Sequence, residues 1–207
     1  MHSQSDLKEK RAVTRPELRH LRCSQPIKPS DVSTIQHNIL TGRSMSVNTL
    51  DHGKSIRSAT EEDFDRVMEI DRLSFSAPWI ENFFKSALKD IFLVLEEERE
   101  LFGYLIACVC HDLEKAVILR IAVHPDHRGK GAAGILIRTC LDMLIQKDIG
   151  VVELDVELIS RGAIKLYEKF GFKIANIIVF PSDFTDDGET FYVMRLALPK
   201  SEEQAMS

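Results

Sequence analysis

No apolar run in the chain approaches the roughly 20 residues that a membrane-crossing helix needs, and the polar opening Met1-His2-Ser3-Gln4-Ser5-Asp6 lacks a secretory leader's apolar segment. No membrane partner is expected, and the expected location is cytoplasmic. Cysteine is scarce. The 4 present, Cys23, Cys108, Cys110 and Cys140, show no CxxC spacing and read as reduced thiols rather than a disulfide framework. Cys108 and Cys110 stand two apart in a strand-like run and would share a face, but buried strand cysteines explain them better than paired metal ligands. No metal is expected. Internal repeats and low-complexity tracts are missing as well.

What is present is the balance of an ordinary globular protein: 207 residues, 44% hydrophobic and 29% charged. This allows one domain with a sizeable extension and excludes wholesale disorder. Charge is divided unevenly, with nine Lys or Arg against five Asp or Glu in residues 1–55, and 18 against 27 in residues 56–207. An acidic domain binds nucleic acid poorly, because phosphate contacts supply most of that affinity, so no nucleic-acid partner is expected. The same charge suits a cationic amine, although solubility explains it equally well.

Residues 1–54 are polar and punctuated by proline, with no sustained apolar period beyond a short helix signal at 16–21, and read as a disordered extension. Ser55-Ile56-Arg57 begins the ordered part as a strand. Thr60-Glu61-Glu62-Asp63 then matches a capping box, opening a helix that runs to about Phe75 with Phe64, Val67, Met68 and Asp71 along one stripe. Pro78 breaks it and Trp79 begins a second helical stretch, so residues 75–79 form an aromatic elbow. Strands at 91–95, 101–110 and 116–123 are separated by short charged turns, which favour an antiparallel meander. A long helix over about 131–147 ends at Gly150, and a strand spans 151–156. Ser160 caps a helix over 163–170 that Gly171 terminates. Strands at 172–180 and 190–198 flank a polar loop, and 199–207 is a tail. The expected fold over 55–198 is α/β (α+β): a mixed, mostly antiparallel sheet with helices on both faces.

The most informative segment is Arg128-Gly129-Lys130-Gly131-Ala132-Ala133-Gly134, between the strand ending at Val123 and the long helix. Small residues let the backbone approach a ligand, successive N–H groups can point inward, and the helix N-terminus contributes about half a positive charge. Arg128 and Lys130 add full charges, so the chemistry is that of pyrophosphate binding, with tight packing as the plain alternative. Gly129, Gly131 and Gly134 also satisfy GxGxxG, with Asp155 as a ribose acceptor. In a dinucleotide-binding turn, however, the first glycine follows its strand almost directly within a parallel sheet. Here His124 to Arg128 intervene and antiparallel strands precede. No Lys-Ser or Lys-Thr follows the glycines, which excludes a P-loop. His124 and His127 read as solvated loop histidines rather than metal ligands.

Ile121-Ala122-Val123-His124-Pro125-Asp126-His127-Arg128-Gly129-Lys130-Gly131-Ala132-Ala133 resembles the acetyl-CoA signature of the GNAT acetyltransferases: Arg or Gln, two residues, Gly, one residue, Gly or Ala. Ala163-Ile164-Lys165-Leu166-Tyr167-Glu168-Lys169-Phe170-Gly171-Phe172, about 35 residues downstream, resembles that family's second signature. The resemblance covers roughly residues 55–198. It implies an enzyme that takes acetyl-CoA as co-substrate and moves the acetyl group to an amine. Phe75-Ser76-Ala77-Pro78-Trp79 and Leu154-Asp155-Val156 further resemble the bacterial ribosomal-protein-alanine N-acetyltransferases, which implies a protein N-terminal α-amine as acceptor. Lysine and small-molecule amines stay open as acceptors, and a non-catalytic acyl-CoA sensor stays open as a second class. Those enzymes carry glutamate where Asp155 stands, asparagine near Ser160, and often two tyrosines where Val179-Phe180 lies.

The resemblance implies direct transfer in a ternary complex, and no Cys-His or Ser-His pair stands at a recognisable motif. By the same resemblance, backbone around Ile121, Ala122 and Val123 polarises the thioester carbonyl. Arg128, Gly129, Lys130, Gly131, Ala132, Ala133 and Gly134 hold the pyrophosphate, and Ser160 is a further CoA contact. Asp155 is the first choice for the base, directly or through water, with Glu153 and Glu157 as alternates on the same strand face. Tyr167 is assigned the proton for the departing sulfur, because a phenol with an ordinary pKa of about 10 stays protonated at neutral pH. An N-terminal amine, with a pKa of about 7.7 to 8.0 against about 10.4 for lysine, supplies more free base and asks less of Asp155.

Overall fold

The computed structural model describes residues 48–49, 53–110, 113–180 and 189–199. The helix signal at 16–21, Cys23, the polar loop at 181–188 and the tail beyond 199 lie outside the described residues. Among the described residues, eight strands are β1 (Asn48–Thr49), β2 (Lys54–Ser58), β3 (Ile91–Glu97), β4 (Glu100–Cys110), β5 (Lys115–Val123), β6 (Val151–Glu157), β7 (Lys173–Phe180) and β8 (Glu189–Ala197). They form one sheet in the order β1-β2-β3-β4-β5-β6-β8-β7, antiparallel throughout except between β5 and β6. The helices are α1 (Phe64–Ser74), α2 (Glu81–Ala87), α3 (Ala132–Gln146) and α4 (Arg161–Lys169). The mixed, mostly antiparallel sheet expected from the sequence is what the chain forms.

Strand alternation sorts the core into two layers. Phe92, Val94, Tyr104, Ile106 and Val117 pack against Phe64, Val67, Ile70 and Phe84 of α1 and α2. Leu93, Leu95, Leu105, Ile118 and Leu154 pack on the opposite face against Leu136, Ile137, Cys140 and Tyr167 of α3 and α4. Helices therefore cover both faces.

Several boundaries follow local hydrogen bonding that the sequence pattern did not reveal. The capping box forms, with the Thr60 N–H donating to Asp63 Oδ2 at 2.8 Å, but its first turn is a 3-10 turn that precedes α1. Helix α2 starts at Glu81 and not at Trp79, whose N–H donates instead to the Asp71 carboxylate at 2.6 Å. Asp148, not Gly150, closes α3: it takes φ 55°, with Asp148 N–H on Ile145 O at 3.0 Å and Ile149 N–H on Leu144 O at 3.0 Å. This is a Schellman ending with aspartate in the left-handed position. Gly150 is left to donate to Glu114 O at 2.8 Å, where β6 begins. Gly171, at φ 89°, ends α4 as expected. The β3–β4 hairpin turns on Glu98 and Arg99, both at positive φ (51° and 71°), the mirror-image two-residue turn that suits strand twist. Cys140 is a free, buried thiol, whereas Cys108 and Cys110 are disulfide-bonded, which corrects the reading of those two as reduced.

The feature that makes a site is the parting of β5 from β6. Their pairing runs only from Lys115↔Val151 to Ile118↔Leu154. On β5's other edge, Ile106 faces Arg120 while Ala107 faces Ile118, so Leu119 is an extra, bulged residue at the point of parting. A bulge bends its strand and sharpens the local twist, and beyond Ile118 the two strands have no shared ladder.

Candidate active site

A cavity of about 450 Å³ occupies this gap in the middle of the sheet, within the usual range for a small-ligand site. Ser74, Phe75, Ser76, Ala77 and Trp79 line it from the side of α1 and α2. Ser160, Ala163 and Tyr167 line it from the side of α4, and residues 118–121 of β5 and 154–157 of β6 form its walls. The cavity is thus a slot that passes from one face of the sheet to the other.

Two of the expected chemical groups enter this slot from opposite faces. Leu154 and Val156 belong to the α3/α4 layer, so alternation turns Asp155 and Glu157 toward α1 and α2. Tyr167 comes from α4 on the other side, 6% exposed, with its ring edge-on to Phe172 at 5.9 Å. Glu153 shares Asp155's side of β6 but sits where β5 and β6 are still paired, and it does not line the cavity. Lys115 and Arg195 hold its carboxylate, Arg195 at 2.6 Å. Burial alone would raise its pKa, but the hydrogen bonds from these two cations win and keep it below the ordinary carboxylate range. A carboxylate so stabilised is a poor base, which leaves Asp155 and Glu157 at the slot.

The glycine turn lies next to the slot rather than in it, since none of residues 128–134 lines the cavity. Gly129 and Gly131 take φ 75° and 83°, and a Cβ on either would meet nothing within 4 Å. Gly131 precedes α3, whose first intrahelical bond is Ile135 N–H to Gly131 O at 3.1 Å. The N–H groups of Ala132, Ala133 and Gly134 therefore have no acceptor within the helix. Open space over left-handed glycines and a row of N–H donors at a helix start fit the pyrophosphate of CoA. Gly134 differs from the other two. Its added Cβ would touch the Phe170 ring at 3.8 Å, which marks a packing position. The two cations are turned back on the protein: Arg128 Nε donates to Val123 O at 2.9 Å and Nη2 to Ser74 Oγ at 3.0 Å, while Lys130 Nζ reaches Asp126 O at 3.1 Å.

Of the other expected CoA contacts, Ile121 and Ser160 line the slot and Ala122 and Val123 do not. Ala122 packs in the α1/α2 layer and Val123 in the opposite one. His127 stacks flat on Phe102 at 4.5 Å, and among the described residues no group of three His, Cys, Asp or Glu is placed to hold a metal ion. No helix among them is long and apolar enough to cross a membrane. Sequence reasoning missed Arg120 and Tyr104 and read Asp71 only as part of a helix stripe. The available signal was a single arginine inside the apolar run from Ala116 to Val123.

Comparison with known proteins agrees with this geometry. The model of the acetyltransferase (GNAT) family matches residues 60–172, more than half of the chain. A Bacillus subtilis protein named "putative ribosomal protein bS18-alanine N-acetyltransferase" is 31% identical over 144 residues, covering 68% of this chain and 93% of that protein. The ribosomal protein bS18-alanine N-acetyltransferase of Escherichia coli K12 is 27% identical over 146 residues, covering 70% of this chain and 97% of that one. Among solved structures, the crystal structure of the ribosomal-protein-S18-alanine N-acetyltransferase from Escherichia coli superposes with a TM-score of 0.65 at 26% identity, covering 72% of this chain and 96% of that one. The slot, the glycine turn and these matches together lead to one conclusion: the chain belongs to the GNAT family and is an acetyl-CoA-dependent N-acetyltransferase.

Proposed function

We propose that the acceptor is the α-amine of a protein N-terminus, and that the acetyl group passes to it directly in a ternary complex. The observation that carries this reading is the slot through the sheet, with Asp155 turned toward α1 and α2 and Tyr167 lining it from α4 on the opposite side. Acetyl-CoA enters from the α3/α4 side, its pyrophosphate on the N–H groups that follow Gly131, with Ile121 and Ser160 beside the thioester end. The amine enters past residues 75–79. The uncharged amine nitrogen bonds to the thioester carbonyl carbon, whose oxygen is polarised by N–H groups on the β5 edge facing the slot. As that bond forms, Asp155, directly or through one water, takes the proton that the nitrogen sheds, with Glu157 as the alternate. The C–S bond breaks, and Tyr167 gives its proton to the sulfur. The likeness to bS18-alanine N-acetyltransferases supports an N-terminal amine, whose pKa of about 7.7 to 8.0 leaves far more of it uncharged near neutrality than a lysine at about 10.4.

A screen of amines with acetyl-CoA, read by product mass and by thiol release, tests the acceptor. Peptides beginning with alanine or serine are expected to be acetylated at the α-amine faster than peptides with a blocked N-terminus and an internal lysine, and faster than polyamines. Preference for lysine or a polyamine would replace this acceptor assignment. CoA binding with no turnover on any amine would point to a sensor.

A further inference from the structure

Beneath residues 75–79 lies a cluster of polar side chains that the transfer chemistry does not use. Asp71 on α1 and Tyr104 on β4 are fully buried, and Arg120 on β5 is 9% exposed. Arg120 Nε and Nη2 donate to the two Asp71 oxygens at 2.7 and 2.8 Å. The Tyr104 hydroxyl donates to Oδ1 of the same carboxylate, and the Trp79 N–H to Oδ2 at 2.6 Å. Four donors serve a group with about four lone-pair sites, so the buried charge is fully satisfied. Burial first, and the adjacent carboxylate second, push the Tyr104 phenol well above its usual range and keep it a donor.

The bulge at Leu119 creates this cluster. With one extra residue on β5, Arg120 faces Ile106 on the α1/α2 side instead of alternating to the other face. The guanidinium then reaches the elbow as well as Asp71. Nη2 donates to Ala77 O at 2.9 Å, and Cζ lies 3.6 Å from the Phe75 ring centroid and 5.1 Å from that of Trp79. Phe75, Ala77, Trp79 and Arg120 all line the slot. One ion pair therefore clamps three residues of a wall that has no regular secondary structure.

We infer that Arg120, held by Asp71 and Tyr104, is a positioning residue that fixes residues 75–79 as the wall aligning the acceptor amine, so that it governs acceptor use and not acetyl-CoA binding. The inference rests on reading the α1/α2 face as the acceptor side. A lysine at position 120 would keep the charge but lose the planar fork that spans both carboxylate oxygens and the Ala77 carbonyl.

Two variants test this. Arg120→Lys leaves no uncompensated carboxylate. The double variant Asp71→Asn with Arg120→Met removes both charges together, so that neither is left buried alone. Trp79 is the protein's single tryptophan, and acrylamide quenching of its fluorescence reports on the elbow without background. In the folded double variant, quenching should rise, and kcat/KM for an alanine-starting peptide should fall by about tenfold or more, chiefly through KM. Calorimetric affinity for acetyl-CoA should stay within about twofold. Arg120→Lys should lie between this variant and the wild type. Unchanged quenching and unchanged peptide KM in the folded double variant would overturn the inference, and so would a loss of acetyl-CoA affinity as large as the loss in KM. If the wild type acetylates no peptide or amine, the acceptor reading fails by itself, and the tryptophan quenching then decides whether the cluster holds the elbow.

Discussion

At Tyr167 a single atom separates a packing role from the proposed acid role. Its ring is buried against Phe172 and the residue lines the slot, so replacement by phenylalanine keeps the ring contact and removes only the hydroxyl. Tyr167→Phe should therefore leave the melting temperature and acetyl-CoA affinity nearly unchanged while lowering kcat by about 10²-fold, the ordinary contribution of a positioned general acid. Steady-state kinetics with the best acceptor and calorimetry with acetyl-CoA measure the two quantities. Equal losses in both would make Tyr167 a packing or CoA-binding residue. At this scale the sequence was informative for residues inside a local motif: Tyr167 and Asp155 were both singled out, and both line the slot. It was silent on Arg120, because the side chain's direction depends on a bulge and its partner lies 49 positions away. Glu153, read as an alternate base, lies away from the slot for a related reason. Alternation gives the side of the strand, but not where along it β5 parts from β6.

At the scale of elements, the glycine turn and α3 contain two glycines with opposite physical roles. Gly131 stands in the left-handed region at φ 83°, where an L-residue costs about 1–2 kcal/mol, and its carbonyl starts α3. Gly134 lies inside α3 with ordinary helical geometry, and its absent Cβ would meet Phe170 at a normal contact distance of 3.8 Å. Gly131→Ala should thus lower the melting temperature and weaken acetyl-CoA binding. Gly134→Ala should be neutral or stabilising by up to about 1 kcal/mol through helix propensity, with affinity retained. Thermal denaturation and calorimetry on the pair decide this, and the reverse ranking would move the anion site away from the start of α3. Sequence alone treated both glycines as phosphate-facing, since spacing cannot separate a backbone angle from a packing contact. The elements themselves were legible almost throughout, because apolar periodicity and end signals such as Gly171 act locally. The misplaced ends have local causes too. Trp79's N–H is drawn away to Asp71, and Asp148 takes the left-handed role expected of Gly150.

For the molecule as a whole, the open question is where the folding unit begins. The family match starts at residue 60, yet β2 precedes it, and β1 adds two further pairs, Asn48↔Ile56 and Thr49↔Ser55, at the edge of the sheet. Three strands, β2, β3 and β4, stand between that edge and the strand β5 that walls the slot, so changes at β1 should reach stability before they reach the site. Residues 1–47 offer no sustained apolar period with which to join either core layer. We therefore expect a protein starting at residue 48 to melt within about 2 °C of the full chain, the shift that a surface change of about 0.5 kcal/mol gives in a domain of this size. A protein starting at residue 55 loses β1 and the first residue of β2, which bares an edge strand. It should melt lower than the protein starting at 48, yet bind acetyl-CoA with the same affinity. Parallel melting curves and calorimetry on the three lengths separate these outcomes. If the protein starting at 48 lost acetyl-CoA binding while staying folded, the N-terminal residues would have to be counted as part of the site.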